Sequence, residues 1–137
     1  VTDTEEMPVD VSADNASADI TATEDDQSLM EQIERLVQEK ALYKTPDLSI
    51  ANVATLCGKS HRVVSTAINH CRGINFKTYI NEYRVAEAAR LIEKGWLKQH
   101  TLDALASETG FAGRVNLYRA FKRKTGVSPT DWEAKTI

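Results

Sequence analysis

The sequence predicts an all-α fold of about seven helices, in which two copies of a helix, tight turn, helix unit are joined by one long linker helix. Three observations predict it. Apolar residues recur at intervals of three and four, and no stretch alternates with the period of two that a half-buried strand requires. Ser, Thr or Asn precedes most of these runs and Gly follows most of them, the usual punctuation of helix starts and stops. One pattern of small and apolar residues also occurs twice, 52 to 53 positions apart.

Taken in order, residues 1–27 hold nine acids, no Lys or Arg, and only scattered apolar residues. Such a segment cannot bury enough surface to offset the entropy of ordering it, and a disordered acidic linker is expected there. The folded domain is expected over residues 28–137. Ser28 and Glu31 have the form of a capping box, and Leu29, Ile33, Leu36 and Val37 fall on one helical face. That helix should fade near Tyr43, because Pro46 disfavours helical geometry in the residue before it. Ser49 then caps a short helix with Ile50, Val53, Ala54 and Cys57 inward and Gly58 at its end.

Ser60 caps the next helix, His61 to about Cys71, with Val63, Val64, Ala67 and Ile68 turned inward and Gly73 closing it. Asn75 starts the longest helix, with Ile74 and Tyr79 placed as a hydrophobic staple. Its apolar positions are Phe76, Tyr79, Ile80, Tyr83, Val85, Ala88, Leu91 and Ile92, and it would span about 28 Å before Gly95. Beyond a short Trp96-Leu97 connection, Thr101 caps Leu102 to Thr109, Gly110 breaks the chain, and a further helix covers about Arg114 to Lys124. Ser128-Pro129 opens a last short helix with Trp132 on its inner side, proline being favoured in the first turn.

Charge is distributed unevenly. The chain holds 20 acids against 17 Lys and Arg, yet the nine acids of residues 1–27 leave a net +6 on the rest. No apolar run approaches the ~20 residues that span a bilayer, and the opening lacks the charged start and apolar middle of a signal peptide. Two cysteines, Cys57 and Cys71, in a chain with 42% hydrophobic residues fit a reducing compartment. Cys57, His61, His70 and Cys71 are metal-ligating residue types, but no Cys-x-x-Cys unit is present and no metal is expected. Phosphate loop, nucleophile elbow and converging carboxylate pair are all missing, and His100 has no evident partner, so neither catalysis nor a cofactor is expected.

The repeat carries the functional signal. Ile50, Val53, Ala54 and Gly58 align with Leu102, Leu105, Ala106 and Gly110, and Val64, Ala67, Ile68 and Gly73 with Leu117, Ala120, Phe121 and Gly126. The second copy has one extra residue in its turn. Each copy is a helix-turn-helix, about 49–73 and about 101–126, in which a small alanine lets the second helix cross the first closely. Such a unit projects one helix into a DNA major groove. Grooves on one face of B-DNA are about 34 Å apart, so the linker helix, about 75–94, is a suitable spacer for reading two in succession.

Residues 49–132 resemble the double helix-turn-helix DNA-binding domain of AraC/XylS-type bacterial transcription activators. The resemblance rests on Leu48-Ser49-Ile50 through Ala54 and Gly58, on Asn75-Phe76, and on Tyr79-Ile80-Asn81-Glu82-Tyr83-Arg84-Val85 with Ala88. It is closer in the second half, at Gly110-Phe111, Leu117-Tyr118-Arg119-Ala120-Phe121-Lys122-Arg123 and Thr125-Gly126-Val127-Ser128-Pro129, with Trp132 where the family usually has tyrosine. Leu42-Tyr43-Lys44-Thr45-Pro46-Asp47-Leu48 and the helix before it resemble the Bacteroidetes-type branch, whose members often carry transmembrane, sensor or helical-repeat modules upstream.

Carried over by position, the resemblance implies base contacts from Arg62, Ser65 and Thr66 in the first unit and from Arg114, Val115, Tyr118 and Arg119 in the second. It implies phosphate contacts from Lys59, His61, Asn69, Arg72, Lys122, Arg123 and Lys124. Thr66 stands where the family commonly has a basic residue and Asn69 where lysine is frequent, which implies weaker reading by the first half. Arg84 matches a recurrent linker-helix arginine and is expected to bridge the halves by hydrogen bonds. The implied partners are double-stranded DNA and, for the intact regulator, RNA polymerase, with an upstream sensor or transmembrane module outside this chain and no membrane contact within it. A cytoplasmic location follows, with a tether to the inner membrane through an upstream region as its variant. The alternative is a helical protein-interaction module that binds no DNA, for which a basic charge beside the reading helices would serve no purpose.

Overall fold

A computed structural model describes residues 24–136. Its described residues form seven α-helices and no strand: α1 Glu24–Glu39, α2 Ile50–Cys57, α3 His61–Arg72, α4 Phe76–Glu93, α5 Leu102–Thr109, α6 Arg114–Thr125 and α7 Pro129–Thr136. Short 3-10 turns occupy Leu42–Lys44 and Trp96–Lys98. No helix among the described residues is long and apolar enough to cross a membrane. The acidic linker expected over residues 1–27 lies, as far as residue 23, outside the described residues.

Local chemistry sets the helix starts. Ser49 accepts a hydrogen bond from the Asn52 amide while the Asn52 side chain accepts from the Ser49 amide, a reciprocal capping box. Ser60, Asn75 and Thr101 cap α3, α4 and α5 through the amides of Val63, Thr78 and Ala104. α6 differs, since its N-cap is Gly113 and no side chain caps it. Gly113 takes the place that Ser60 holds in the first unit, and the extra residue of the second turn falls between Gly110 and Gly113.

At α1 the expectation needs correction. The helix begins at Glu24, and Ser28 lies inside it rather than at its N-cap. Glu24, Asp25 and Asp26 occupy the first turn, where the exposed amides favour negative charge, and Asp26 Oδ2 lies 2.9 Å from His70 Nδ1 on α3. Acids that composition assigns to a solvated linker are thus helical, and they lower the net charge of the folded part from +6 to +3.

Two hydrophobic clusters hold the domain. The first joins Leu29, Met30, Ile33 and Val37 of α1 to Val53, Ala54, Val64, Ala67 and Ile68 of the first unit and to Tyr79 and Ile80 of α4. The second joins Val85, Ala88 and Ile92 of α4 to Leu105, Ala106, Phe111, Leu117 and Phe121. The paired repeat positions Val53 and Leu105, Ala54 and Ala106, Val64 and Leu117, and Ile68 and Phe121 are all buried. Trp132 of α7 packs edge-on against Phe121 with ring centroids 5.7 Å apart, and its indole N–H donates to Glu93 at 3.0 Å. His100 does have a partner: its ring stacks on Trp96 at 4.0 Å, a contact made possible by the 3-10 turn between them.

Glu87 is a buried charge on α4, and it is fully engaged. Arg90 donates to its two carboxylate oxygens at 2.9 and 2.6 Å, and Lys44 Nζ lies 3.5 Å away. The hydrogen bonds from Arg90 hold the carboxyl below its ordinary range against the opposing effect of burial. A carboxyl whose pKa is lowered on folding adds stability above its unfolded pKa, and that contribution is lost as pH falls through the folded value. Melting temperature should therefore fall as pH drops below about 4.5, and Glu87→Gln should melt lower at neutral pH with a flatter acid limb. Thermal melts of both proteins from neutral to acid pH check this; parallel curves would contradict it.

Candidate nucleic-acid interface

The second unit offers the clearer surface. On α6, successive side chains turn by about 100°, so Leu117 and Phe121, both buried, define the inner face. Opposite lie Val115, Arg119 and Arg123, with Lys122 and then Tyr118 on one flank, and Arg114 in the first turn lies nearer the inner arc; all are exposed. Val115 is 58% and Tyr118 46% exposed, neighbours that add apolar surface to this face of α6. Leu102, Val115, Leu117, Tyr118 and Pro129 line an apolar groove along this helix, bordered by Arg114 and Arg119. Lys122 Nζ sits 5.8 Å from the Tyr118 ring centroid, which keeps the ammonium on the reading side. Among the described residues, neither Arg119 nor Arg123 has an ion-pair partner.

Lys124 lies nearly in line with Leu117 around the helix, and its exposed Nζ is 3.6 Å from Glu82 of α4, to one side of the row of Arg119 and Lys122. Arg114 is exposed in the first turn of α6, and its contact with Asp103, 3.8 Å between two well-exposed side chains, is too solvated to hold it.

On α3, Val64, Ala67 and Ile68 are buried, and Arg62, Ser65, Thr66 and Asn69 occupy the opposite side, Thr66 half-buried and the others exposed. His61 at the helix start and Lys59 in the preceding turn are exposed beside them. Two expectations change. Val63 is 43% exposed rather than inward, because Val64, Ala67, Ile68 and Cys71 already fill the inner arc and Val63 falls at its edge. Arg72 forms an ion pair with Glu34 of α1, which withdraws it from the phosphate-facing set. The wheel of α3 could have revealed Val63, but nothing local marks Glu34 as the partner of Arg72.

Arg84 stands at the junction of the halves. Its Nε donates to the Tyr43 carbonyl at 2.6 Å, Nη2 to the Thr45 carbonyl at 3.0 Å and Nη1 to Asn81 at 3.3 Å, and its guanidinium lies 5.6 Å from the Phe111 ring centroid. Burial lowers its pKa, with Asp47 opposing, but arginine stays charged in this setting. The expected bridging role is met. Cys57 is buried, which raises its thiol pKa, and no metal-binding group of three or more ligands occurs among the described residues.

Two outward helices, each the second of a tight helix-turn-helix whose first helix carries a buried alanine, Ala54 or Ala106, define the architecture. A family model described as a helix-turn-helix domain matches residues 53–135. The chain belongs to the AraC-type helix-turn-helix family. That family consists of sequence-specific DNA-binding transcription regulators. No curated protein matches the sequence. Among solved structures, an AraC-type transcriptional regulator from Chromobacterium violaceum is 18% identical, with 83% of this chain and 96% of that chain covered and a TM-score of 0.70. The C-terminal domain of AraT, a response regulator from Geobacillus stearothermophilus, is 21% identical over 82% of this chain and 86% of that one, with a TM-score of 0.65. The DNA-binding domain of AdpA, solved in complex with a target DNA, is 23% identical over 78% and 90% of the two chains, also with a TM-score of 0.65. These likenesses establish that the AraC-type chain has the fold of those domains.

Proposed function

We propose that this AraC-type domain reads two successive major grooves on one face of duplex DNA, α3 in one and α6 in the other. The observation that carries the reading is the pair of outward helices at the two ends of α4, whose 18 residues extend about 27 Å. Arg62, Ser65 and Thr66 on α3 and Arg114, Val115, Tyr118 and Arg119 on α6 meet base edges. Lys59, His61, Asn69, Lys122 and Arg123 meet phosphates. Arginine suits bidentate contact with guanine, and the exposed Val115 and Tyr118 suit the 5-methyl group of thymine, the apolar feature of the major groove. In the intact regulator the domain would act in the cytoplasm downstream of a sensor or transmembrane module and present bound DNA to RNA polymerase.

The AdpA complex with its target DNA supports this reading by likeness of fold. Selection of bound duplexes from a random pool, followed by hydroxyl-radical footprinting of the winner, tests it. Two protected patches about 10 base pairs apart on one face are expected, with affinity falling steeply as salt rises through counterion release. A single protected patch would remove α3 from the reading, and salt-independent binding would favour a protein-interaction role.

A further inference from the structure

The two hydrophobic clusters share no buried residue: the first reaches α4 at Tyr79 and Ile80, and the second begins at Val85. Between them, residues 81–84 cross a seam in which no side chain is fully buried. The elements that span this seam are largely polar, and they centre on residues 40–48, a strap that leaves α1 and enters α2. Its Tyr43 and Thr45 carbonyls take two of the three hydrogen bonds from Arg84. Its Lys44 Nζ lies 3.5 Å from Glu87 on α4 and 4.0 Å from Glu108 on α5. The Tyr43 carbonyl and the Lys44 Cα close directly on Gly110, at the turn between α5 and α6, and Phe111 lies under the Arg84 guanidinium.

One segment of the first half thus touches the linker helix, α5 and the turn that aims α6. The strap is bent at both ends by residues with left-handed backbone, Ala41 at φ 51° and Asp47 at φ 60°. Such conformations are unfavourable for non-glycine residues, and they persist only where the surroundings fix them.

We infer that this strap, latched by Arg84, sets the angle between α3 and α6 and makes the domain selective for the spacing of its two half-sites. The inference rests on the two-groove reading. One inserted base pair moves a half-site by about 3.4 Å and turns it by about 34°. For the protein to follow, the second half must swing about the seam. That swing breaks the bonds from Arg84 and leaves a partly buried cation and two carbonyls unpaired, a costly outcome. A latched domain instead gives up one half-site. Arg84 is a positioning residue here: it touches no base and acts through the relative orientation of the halves.

The test uses the full chain and the duplex obtained by selection, with zero, one or two base pairs inserted between the half-sites, at one fixed salt concentration. Fluorescence anisotropy gives affinities for the parent, for Arg84→Met, which keeps the stem over Phe111 but has no donors, and for Lys44→Ala, which removes the ammonium from the half-buried contacts with Glu87 and Glu108. The parent should lose at least about tenfold on a one-base-pair insertion, since one half-site's base contacts are forfeited. Arg84→Met should lose less than about threefold on the same insertion, with Lys44→Ala between the two. A merely structural role would lower stability, read by thermal melts, and leave the spacing profile of the folded protein unchanged. If Arg84→Met does not fold, Lys44→Ala alone decides the matter. Variants with the parent's profile, or a parent indifferent to spacing, overturn the inference. Scrambling the first half-site distinguishes the deeper failure: if that leaves parent affinity intact, the two-groove reading falls as well.

Discussion

Gly110→Ala should destabilise the domain by about 3–5 kcal/mol, while the equivalent change in the first unit, Gly58→Ala, should cost only about 1 kcal/mol. Both glycines end the first helix of their unit with positive φ, 97° at Gly110 and 68° at Gly58, so both substitutions carry the backbone penalty of a side chain in that region. They differ in what a methyl group would meet. At Gly58 nothing lies within 4 Å. At Gly110 the new carbon would run into the Tyr43 carbonyl, with the Lys44 Cα at 2.9 Å and Arg84 Nε at 3.0 Å. Two of these neighbours are backbone, held by the Arg84 hydrogen bonds, and cannot rotate aside as a side-chain tip could. Urea denaturation of both variants checks the difference, and equal losses would mean that the strap yields.

The second large effect is on DNA recognition. Arg119→Ala should cost about 1–3 kcal/mol on the preferred duplex and relax the preference at one base pair, because a bidentate base contact is lost. Lys122→Ala should weaken all sequences alike and reduce the salt slope by about one. Lys124→Ala should change that slope less than Lys122→Ala, since the ammonium already lies against Glu82 on the side of α6 facing the linker helix. The three variants must be compared at identical salt, by binding selection for preference and by salt titration for slope. An Arg119→Ala protein that selects the parent's sequence would show that this helix reads bases through other residues, Val115 and Tyr118 being the next candidates.

Helices, caps and duplication follow from residues close together in the chain. Ser49, Ser60, Asn75 and Thr101 act on amides three residues away, and Val53, Ala54, Val64, Leu105, Ala106 and Leu117 recur at intervals that any helix of this pitch turns to one side. Such information is local, so it is legible without coordinates. The outward rows of α3 and α6 were legible for the same reason, as the complement of the buried arcs. The remaining contacts join residues far apart in the chain and come from packing alone. Arg72 meets Glu34, Lys124 meets Glu82, Asp26 meets His70, and the strap closes on Gly110 and Arg84. In each case the side chain's own neighbours in sequence leave its direction open, and the packing of α1 and the strap against α3, α4 and α5 selects its partner. Acidic composition pointed to disorder at residues 24–27, but the helical first turn, its favourable dipole and a contact 44 residues away outweighed it.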